Sequence, residues 1–354
     1  MIIEKILPDL YAKKICKAIS SAYFPWYWSS ENIVRTAPDG QLFQFIHSFL
    51  KNNQPISSRL DLVEPIIYYL KKRTDIKIKN FVRIKANLIP RIVQTEEWLE
   101  NLIHQDMSGE GHFISLIYYI DDSDGETTIY QDDMKTAIEK ITPTANKGTL
   151  IDSKTWHRSA VPFTHKRRMV INFVFEVESP HISLLDYKDE EEERLDAFLT
   201  MIGAKEMPHK EGTLYEHLMG TYYTLKFLFD NSTLALIGGL HSIYGTTIYK
   251  KTCLPEDTHL VIKVFGEEVD RLVRLFCKID RKVLETPDGS LSEQDLALLR
   301  LVEVANLYDQ GSIHTRPYLM KFAQDVKRQL EEARVEGFGE REKTLPIGTF
   351  SLGV

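Results

Sequence analysis

Cysteine is scarce in this chain. The three present, Cys16, Cys253 and Cys277, include no CxxC spacing, which excludes a disulfide framework and argues against a cysteine-built zinc site. Positive charge is also in deficit. Lys and Arg number 44 against 51 Asp and Glu, for a net charge of −7 over 354 residues. Nonspecific attraction to nucleic acid or to an anionic membrane surface needs the opposite balance, so nucleic acid is a disfavoured partner despite the locally basic KNFVRIK at 79–85. No apolar run approaches the ~20 residues that span a bilayer. The opening MIIEKILPDL lacks the basic start and long apolar stretch of a signal peptide. A soluble, cytoplasmic protein with no membrane partner is expected. No internal repeat is visible.

What is present is ample core material: 43% of residues are hydrophobic and 27% charged, the composition of a globular protein. The length predicts one large domain or two ordinary ones. Residues 8–24 and 56–72 have helical periodicity. From 81 to 178 the texture is β, with short apolar or alternating runs at 81–89, 113–120, 127–130, 148–151 and 169–177 separated by turn-formers such as DDSDGE. After the acidic run DYKDEEEER at 186–194, helical periodicity returns at 195–202, 213–229, 233–244, 258–279 and 292–308. SEQD at 292–295 has the pattern of a helix N-cap.

HQD at 104–106 is the one HxD among eleven histidines. In an extended strand residues i and i+2 point to the same side, so His104 and Asp106 can reach one metal ion. Taken alone the pair is a weak signal, because a surface His near an Asp is common and is then the stronger reading. A third ligand has to come from a distant segment, and His157 in SKTWHRSAVP sits between the strand-like runs GTLID and RMVINFVFE. Two histidines and a carboxylate form the facial triad of non-haem Fe(II) oxygenases, with positions left open. Zinc accepts the same ligands, so the set does not by itself name the metal.

Arg168 opens the last apolar run. An Arg fork pairs bidentately with a carboxylate, which is the anchor needed by a dicarboxylate cosubstrate that chelates a metal at its other end. Arg167 and Arg168 point to opposite faces of a strand, so at most one serves. Arg168, directly beginning the apolar run, is the expected one; a place for both in the surface run THKRR is the plain alternative.

HxD, FISLIYYIDD, GET, GTLIDSKTWHRSAVP and RMVINFVF, in that order, resemble the 2-oxoglutarate/Fe(II)-dependent dioxygenases, in particular the prolyl-4-hydroxylase-like branch. The resemblance covers roughly residues 80–178. It implies a double-stranded β-helix (jelly roll), Fe(II) on His104, Asp106 and His157, and 2-oxoglutarate with its far carboxylate on Arg168. It implies Tyr119 as a cosubstrate contact, with a core tyrosine as the alternative. Asn87 is a further candidate contact, also readable as structural. Relatives often carry Ser or Thr two residues after the anchoring Arg, where this chain has Val170. The implied reaction uses O2, releases carbon dioxide and succinate, and hydroxylates a C–H bond. Halogenation is disfavoured because the carboxylate ligand Asp106 is present.

The C-terminal helices resemble HD-type domains, especially the hydrolase half of the bifunctional alarmone enzymes. The resemblance rests on EHLMGT and HSIYGT, which carry His217 and His241 as a second candidate site. Two departures weaken it. Ser242 stands where the doublet's Asp is expected, and Asn306 where the later Asp is expected, so a cation there loses charge compensation. A degenerate HD-like domain follows.

The expected fold class is therefore α+β: a jelly roll with N-terminal helices, then an all-α HD-like domain. The expected bounds are an oxygenase domain at 1–182, an acidic linker at 183–194, the HD-like domain at 195–334 and a loose tail at 335–354. The expected function is an Fe(II)- and 2-oxoglutarate-dependent hydroxylase of a small molecule or peptide side chain, with a homodimer through the helical domain as a further expectation. The alternatives are a catalytically silent binding module, a nucleic-acid demethylase of the same oxygenase class, and an HD-type phosphohydrolase.

Overall fold

The run RRMVINFVFEV is buried along nearly its whole length, as expected of a strand with a neighbour on either side. In the computed structural model, which describes residues 1–29, 43–91, 103–210 and 212–336, it lies between two antiparallel partners. Clustering of contacts divides the chain into two units, Met1–Tyr187 and Lys188–Val354.

The strands of the first unit are β1 (Ile2–Ile3), β2 (Tyr27–Ser29), β3 (Gln44–Lys51), β4 (Gln54–Pro55), β5 (Ile78–Pro90), β6 (Phe113–Tyr119), β7 (Thr127–Tyr130), β8 (Ala137–Ile141), β9 (Gly148–Asp152), β10 (His157–Ser159) and β11 (Arg167–Val177). A large sheet has the order β1-β9-β6-β11-β5-β3-β2, with β4 on β3; a second sheet has the order β10-β7-β8. Every pairing is antiparallel. Ile117, Tyr119, Ile151 and Val170 of the large sheet pack with Ile129 and Ile141 of the small one, so the two sheets share one core. This is a mixed α/β unit built on a large antiparallel sheet.

Two helices support it. Asp9–Ile19 buries Tyr11, Ile15 and Ile19, one residue per turn on a single face. Glu64–Arg73 carries Pro65 in its first turn and ends on Lys71, Lys72 and Arg73, which complement the negative helix C-terminus. The expected helix at 56–72 is shorter than its periodicity suggested. Residues 54–55 pair as β4, and only a 3₁₀ turn at Leu60–Leu62 precedes the true helix. Strand β3 is absent from the sequence reading, although it pairs with both β5 and β2.

Register places the later site. Arg168 pairs with Ile89, Val170 with both Asn87 and Tyr119, and Asn172 with Lys85 and Ile117. Side chains alternate along strands, so 168, 170 and 172 share one face with 85, 87, 89 and 117.

The second unit is helical apart from a short hairpin, Pro208–His209 with Gly212–Thr213, which corrects the all-α expectation. Of the acidic run, residues from Glu190 onward form the first turn of the helix Glu190–Met201, where Asp189 accepts from the Glu192 N–H. The four glutamates at that end face the positive pole of the helix. Thr213 and Glu216 close a capping box at the start of Leu214–Phe229, and Ser292 caps Glu293–Asp309. The helix expected at 258–279 is two helices, Leu260–Phe265 and Glu267–Lys278, divided by Gly266 at φ +92°. The helix expected at 233–244 ends at Leu240, with His241 just past it. The expected loose tail lies, from residue 337, outside the described residues.

Candidate metal and cosubstrate site

His104 and His157 come together through the main chain. They form an isolated antiparallel bridge, each backbone N–H donating to the other's carbonyl at 2.9 Å. Their ring centroids lie 4.5 Å apart. Asp106 is not on a strand with His104, as the i, i+2 argument assumed. It sits in a bend, its N–H donating to the carbonyl of Ser153 at 2.9 Å. The same-side result survives because the bridge and this second anchor fix the two residues separately.

His104, Asp106 and His157 each offer one ligand atom, and these atoms lie within 4.8 Å of one another. Among the described residues no other group of three does so. The donors suit a divalent metal. His157 Nδ1 lies 2.9 Å from the carbonyl of Thr155, and a carbonyl can only accept. Nδ1 therefore carries a proton, and Nε2 is the ring nitrogen that faces Asp106 Oδ2, at 3.7 Å. Such a bond on the far nitrogen is what orients a metal-binding histidine.

The Asp106 carboxylate is held ionised. Its side chain is almost fully buried, and burial alone raises a carboxylate pKa. Arg83, His157, the Ser115 hydroxyl and His104 outweigh that and hold it at about 2. Arg83 Nη2 donates to Oδ1. Ser115 donates to Oδ2 at 2.6 Å and Asn172 Nδ2 to the same oxygen at 3.2 Å.

These side chains open on a cavity of about 140 Å³, which Arg168, Asn87, Val170, Arg83, Lys85 and Gln44 also line. Arg168 is fully buried, which pulls its pKa down from the ordinary arginine value. Its Nε donates to the Gly125 carbonyl and its Nη2 to Thr127 Oγ1, both at 2.8 Å. Arg167 instead pairs with Asp121 and Ser20, partly exposed, so the two arginines do diverge. Tyr119 donates to the same Thr127 hydroxyl at 2.9 Å. Its ring lies 5.8 Å from the Arg168 guanidinium, and it is not among the residues lining the cavity. Asn87 is, and its Oδ1 is buried without a hydrogen-bond partner.

Several of these partners escaped the sequence reading. Arg83 and Lys85 alternate with Asn87 in FVRIKANLI, a signal that was available. Ser115, Thr127 and Asn172 carry no motif that marks them. Gly125 is the glycine of GET. A Cβ on it would fall 2.6 Å from the Ala160 carbonyl oxygen and 2.9 Å from Arg168 Cδ, so only glycine lets the loop carbonyl approach the guanidinium. Asp124, beside it, accepts from the backbone of Phe163, Thr164 and His165 and ties the two loops together.

In the second unit His217 and His241 also meet, with Nε2 to Nε2 at 3.2 Å. His241 Nδ1 lies 2.6 Å from the Gly238 carbonyl and must donate to it. Burial pushes His241 down to about 3, so it is neutral and its Nε2 accepts from His217. His217 Nδ1 faces Asp309 Oδ2 at 2.7 Å. The His217–Asp309 pair therefore holds the proton that the contact requires. His209 stacks on His217 with centroids 4.3 Å apart. No third ligand atom completes a metal-type group here among the described residues. Ser242 Oγ is buried without a partner, and Asn306 donates to Glu303.

Comparison with known proteins adds the following. Residues 198–281 match a family described as a domain of unknown function (DUF6817). No curated protein matches the chain. Similar solved structures include a prolyl hydroxylase from Trichoplax adhaerens in complex with a hypoxia inducible factor peptide. It is 14% identical at a TM-score of 0.35, over 50% of this chain and 83% of that one. A Pseudomonas putida prolyl-4-hydroxylase is 13% identical at 0.34, over 50% and 91%. HygX from Streptomyces hygroscopicus, with nickel, 2-oxoglutarate and hygromycin B bound, is 8% identical at 0.32, over 50% and 82%. At these identities and TM-scores the likeness bears on none of the chemistry, which rests on the atoms of the site. No helix among the described residues is long and apolar enough to cross a membrane.

Proposed function

We propose that the chain is an Fe(II)- and 2-oxoglutarate-dependent oxygenase that hydroxylates a C–H bond of a small molecule or a peptide side chain, and that its two packed sheets are a double-stranded β-helix. One observation carries this reading. The His104–Asp106–His157 cluster and the buried guanidinium of Arg168 face the same cavity.

His104, Asp106 and His157 would hold the metal, leaving positions open for cosubstrate and oxygen. When bound, the metal supplies the oxidising chemistry that couples decarboxylation of the keto acid to C–H hydroxylation. The protein's own residues bind and orient. Thr155 and the His104–His157 bridge fix the imidazoles; Ser115, Asn172 and Arg83 keep Asp106 anionic. Arg168, locked by Gly125 and Thr127, would take the far carboxylate of 2-oxoglutarate. Tyr119 acts through Thr127, steadying the hydroxyl that aligns Arg168. Asn87, which pairs in register with Val170, would lie between Arg168 and the metal ligands. Val170, opposite it, makes the neighbouring surface apolar.

Anaerobic calorimetry with Fe(II) and 2-oxoglutarate, followed by oxygen-dependent succinate formation, tests the proposal. Metal-dependent binding of 2-oxoglutarate is expected. Absence of binding by the full chain would sink it.

A further inference from the structure

We infer that the substrate of this cavity carries an amide whose C=O and N–H lie side by side, as in a primary carboxamide or a ring amide, and that Arg83 and Asn172 hold this edge. The inference rests on the oxygenase reading and names a substrate class for it.

Two side chains on the cavity wall are fixed by one carboxylate. Arg83 on β5 and Asn172 on β11 both line the cavity. Arg83 pairs in register with Val174, two residues from Asn172, so the two are diagonal neighbours on one face of the sheet. Arg83 Nη2 donates to Asp106 Oδ1, and Asn172 Nδ2 donates to Asp106 Oδ2 at 3.2 Å. A carboxylate only accepts. The Asn172 amide therefore cannot turn over without losing its bond, and its carbonyl oxygen is fixed as the outward atom.

Each side chain keeps one polar atom unmatched. Arg83 Nε is buried without a hydrogen-bond partner, and so is Asn172 Oδ1. A buried donor or acceptor left unmet costs about 1–3 kcal/mol. One orphan is an N–H and the other a carbonyl, so their complement must accept and donate at once. A carboxylate has no proton for Asn172, and an ammonium has no lone pair for Arg83. A hydroxyl has both on a single oxygen, whereas these two side chains are bound to different oxygens of Asp106. An amide edge carries its acceptor and donor on separate atoms. In a trans peptide bond the two point in opposite directions, so such a bond meets one orphan and not the other. Carboxamides and ring amides present both on one edge. Bound beside the ligand Asp106, this edge sets which neighbouring C–H bond is presented for oxidation.

The test uses the full chain saturated with Mn(II) and 2-oxoglutarate under anaerobic conditions. The probes are propanamide, its trans N-methyl and its N,N-dimethyl derivatives, 2-pyrrolidinone and 1-methyl-2-pyrrolidinone. Broadening of each probe's proton resonances by the bound Mn(II) reports affinity. Propanamide, 2-pyrrolidinone or both are expected to bind at least about 10-fold more tightly than their methylated twins. Which of the two does so separates a carboxamide from a ring amide. Asn172→Ser, which has no carbonyl, should erase that preference. Arg83→Lys keeps a cation for Asp106 and lacks Nε; it should weaken every amide alike and leave the preference in place. Methylated probes binding as well as their parents, no amide binding, an unaltered preference in Asn172→Ser, or unweakened binding in Arg83→Lys would overturn the inference while the oxygenase reading stands. Failure of the wild-type chain to bind Mn(II) and 2-oxoglutarate would instead remove that reading, and this inference with it.

Discussion

His104 and His157 are partners in a single antiparallel bridge, each donating its backbone N–H to the other's carbonyl at 2.9 Å. The two imidazoles are thus brought together by main chain, and their side chains can be cut without removing the bond that joins the segments.

The first prediction is that His104→Ala folds normally and loses metal. Even partners that merely orient a metal ligand cost about 10- to 100-fold in affinity when removed. Deleting the ligand itself should cost at least about 100-fold, read by calorimetry with Mn(II), with the metal-free melting curve little changed. Asp106→Ala should lose metal and also melt earlier, because it strips the carboxylate from Arg83, Ser115 and Asn172. Wild-type affinity in His104→Ala would remove the triad from the site.

Arg168 and its neighbour give a paired test. Truncating one partner of a buried charged hydrogen-bond pair costs about 2–5 kcal/mol. Arg168→Gln should therefore weaken 2-oxoglutarate binding by at least about 30-fold. Arg168→Lys should not restore it, because an ammonium cannot reproduce the fork that meets Gly125 and Thr127. Arg167→Gln should leave cosubstrate affinity untouched and lose only the contacts to Asp121 and Ser20. Equal losses in Arg167→Gln and Arg168→Gln would put the anchor elsewhere.

Gly125→Ala should act on the same anchor without touching a charge. The added methyl would press on a backbone oxygen at 2.6 Å, which cannot swing aside, and on Arg168 Cδ at 2.9 Å. Overpacking of this kind costs about 1–3 kcal/mol. The expected outcome is a lower melting temperature and weaker 2-oxoglutarate binding, with Mn(II) affinity of the cosubstrate-free protein retained. Unchanged cosubstrate binding would show that the loop carbonyl does not set the guanidinium.

The residues of the proposed site stand out in the sequence because they sit in ordered, strand-flanked motifs. RMVINFVF read as a strand since it is buried on both faces; alternation allows at most one of Arg167 and Arg168 as the anchor, and Arg168 is the expected one because it directly begins that run. What was illegible was non-local. No pattern in QFIHSFLK announces β3, whose place depends on pairing with β5 and β2. HQD looked like a strand pair, but its geometry comes from bonds to His157 and Ser153 far along the chain. The helix expected at 258–279 kept its apolar period across Gly266, and only the left-handed backbone there reveals the break. His217 and His241 are in contact, yet Asp309 and His209, which complete their surroundings, lie outside the motifs that drew attention to them.

The last prediction concerns acid and the second unit. Burial holds His241 at about 3, against an ordinary value of 6.5. Between those values the unfolded chain takes up a proton and the folded chain does not. Stability must then rise with pH across this window: the contribution of neutral His241 is complete above about pH 6.5 and is lost as pH falls toward 3. The loss is on the order of a few kcal/mol. Hydrogen exchange of the helix Ser232–Leu240, whose carbonyl at Gly238 takes the His241 proton, reports it locally. Protection there should fall steadily from pH 7 to pH 4 in the wild-type chain. In His241→Gln, which has no group to titrate at this position, the fall over the same interval should be shallower. Parallel pH profiles in the two proteins would mean that some other group carries the acid sensitivity of this unit.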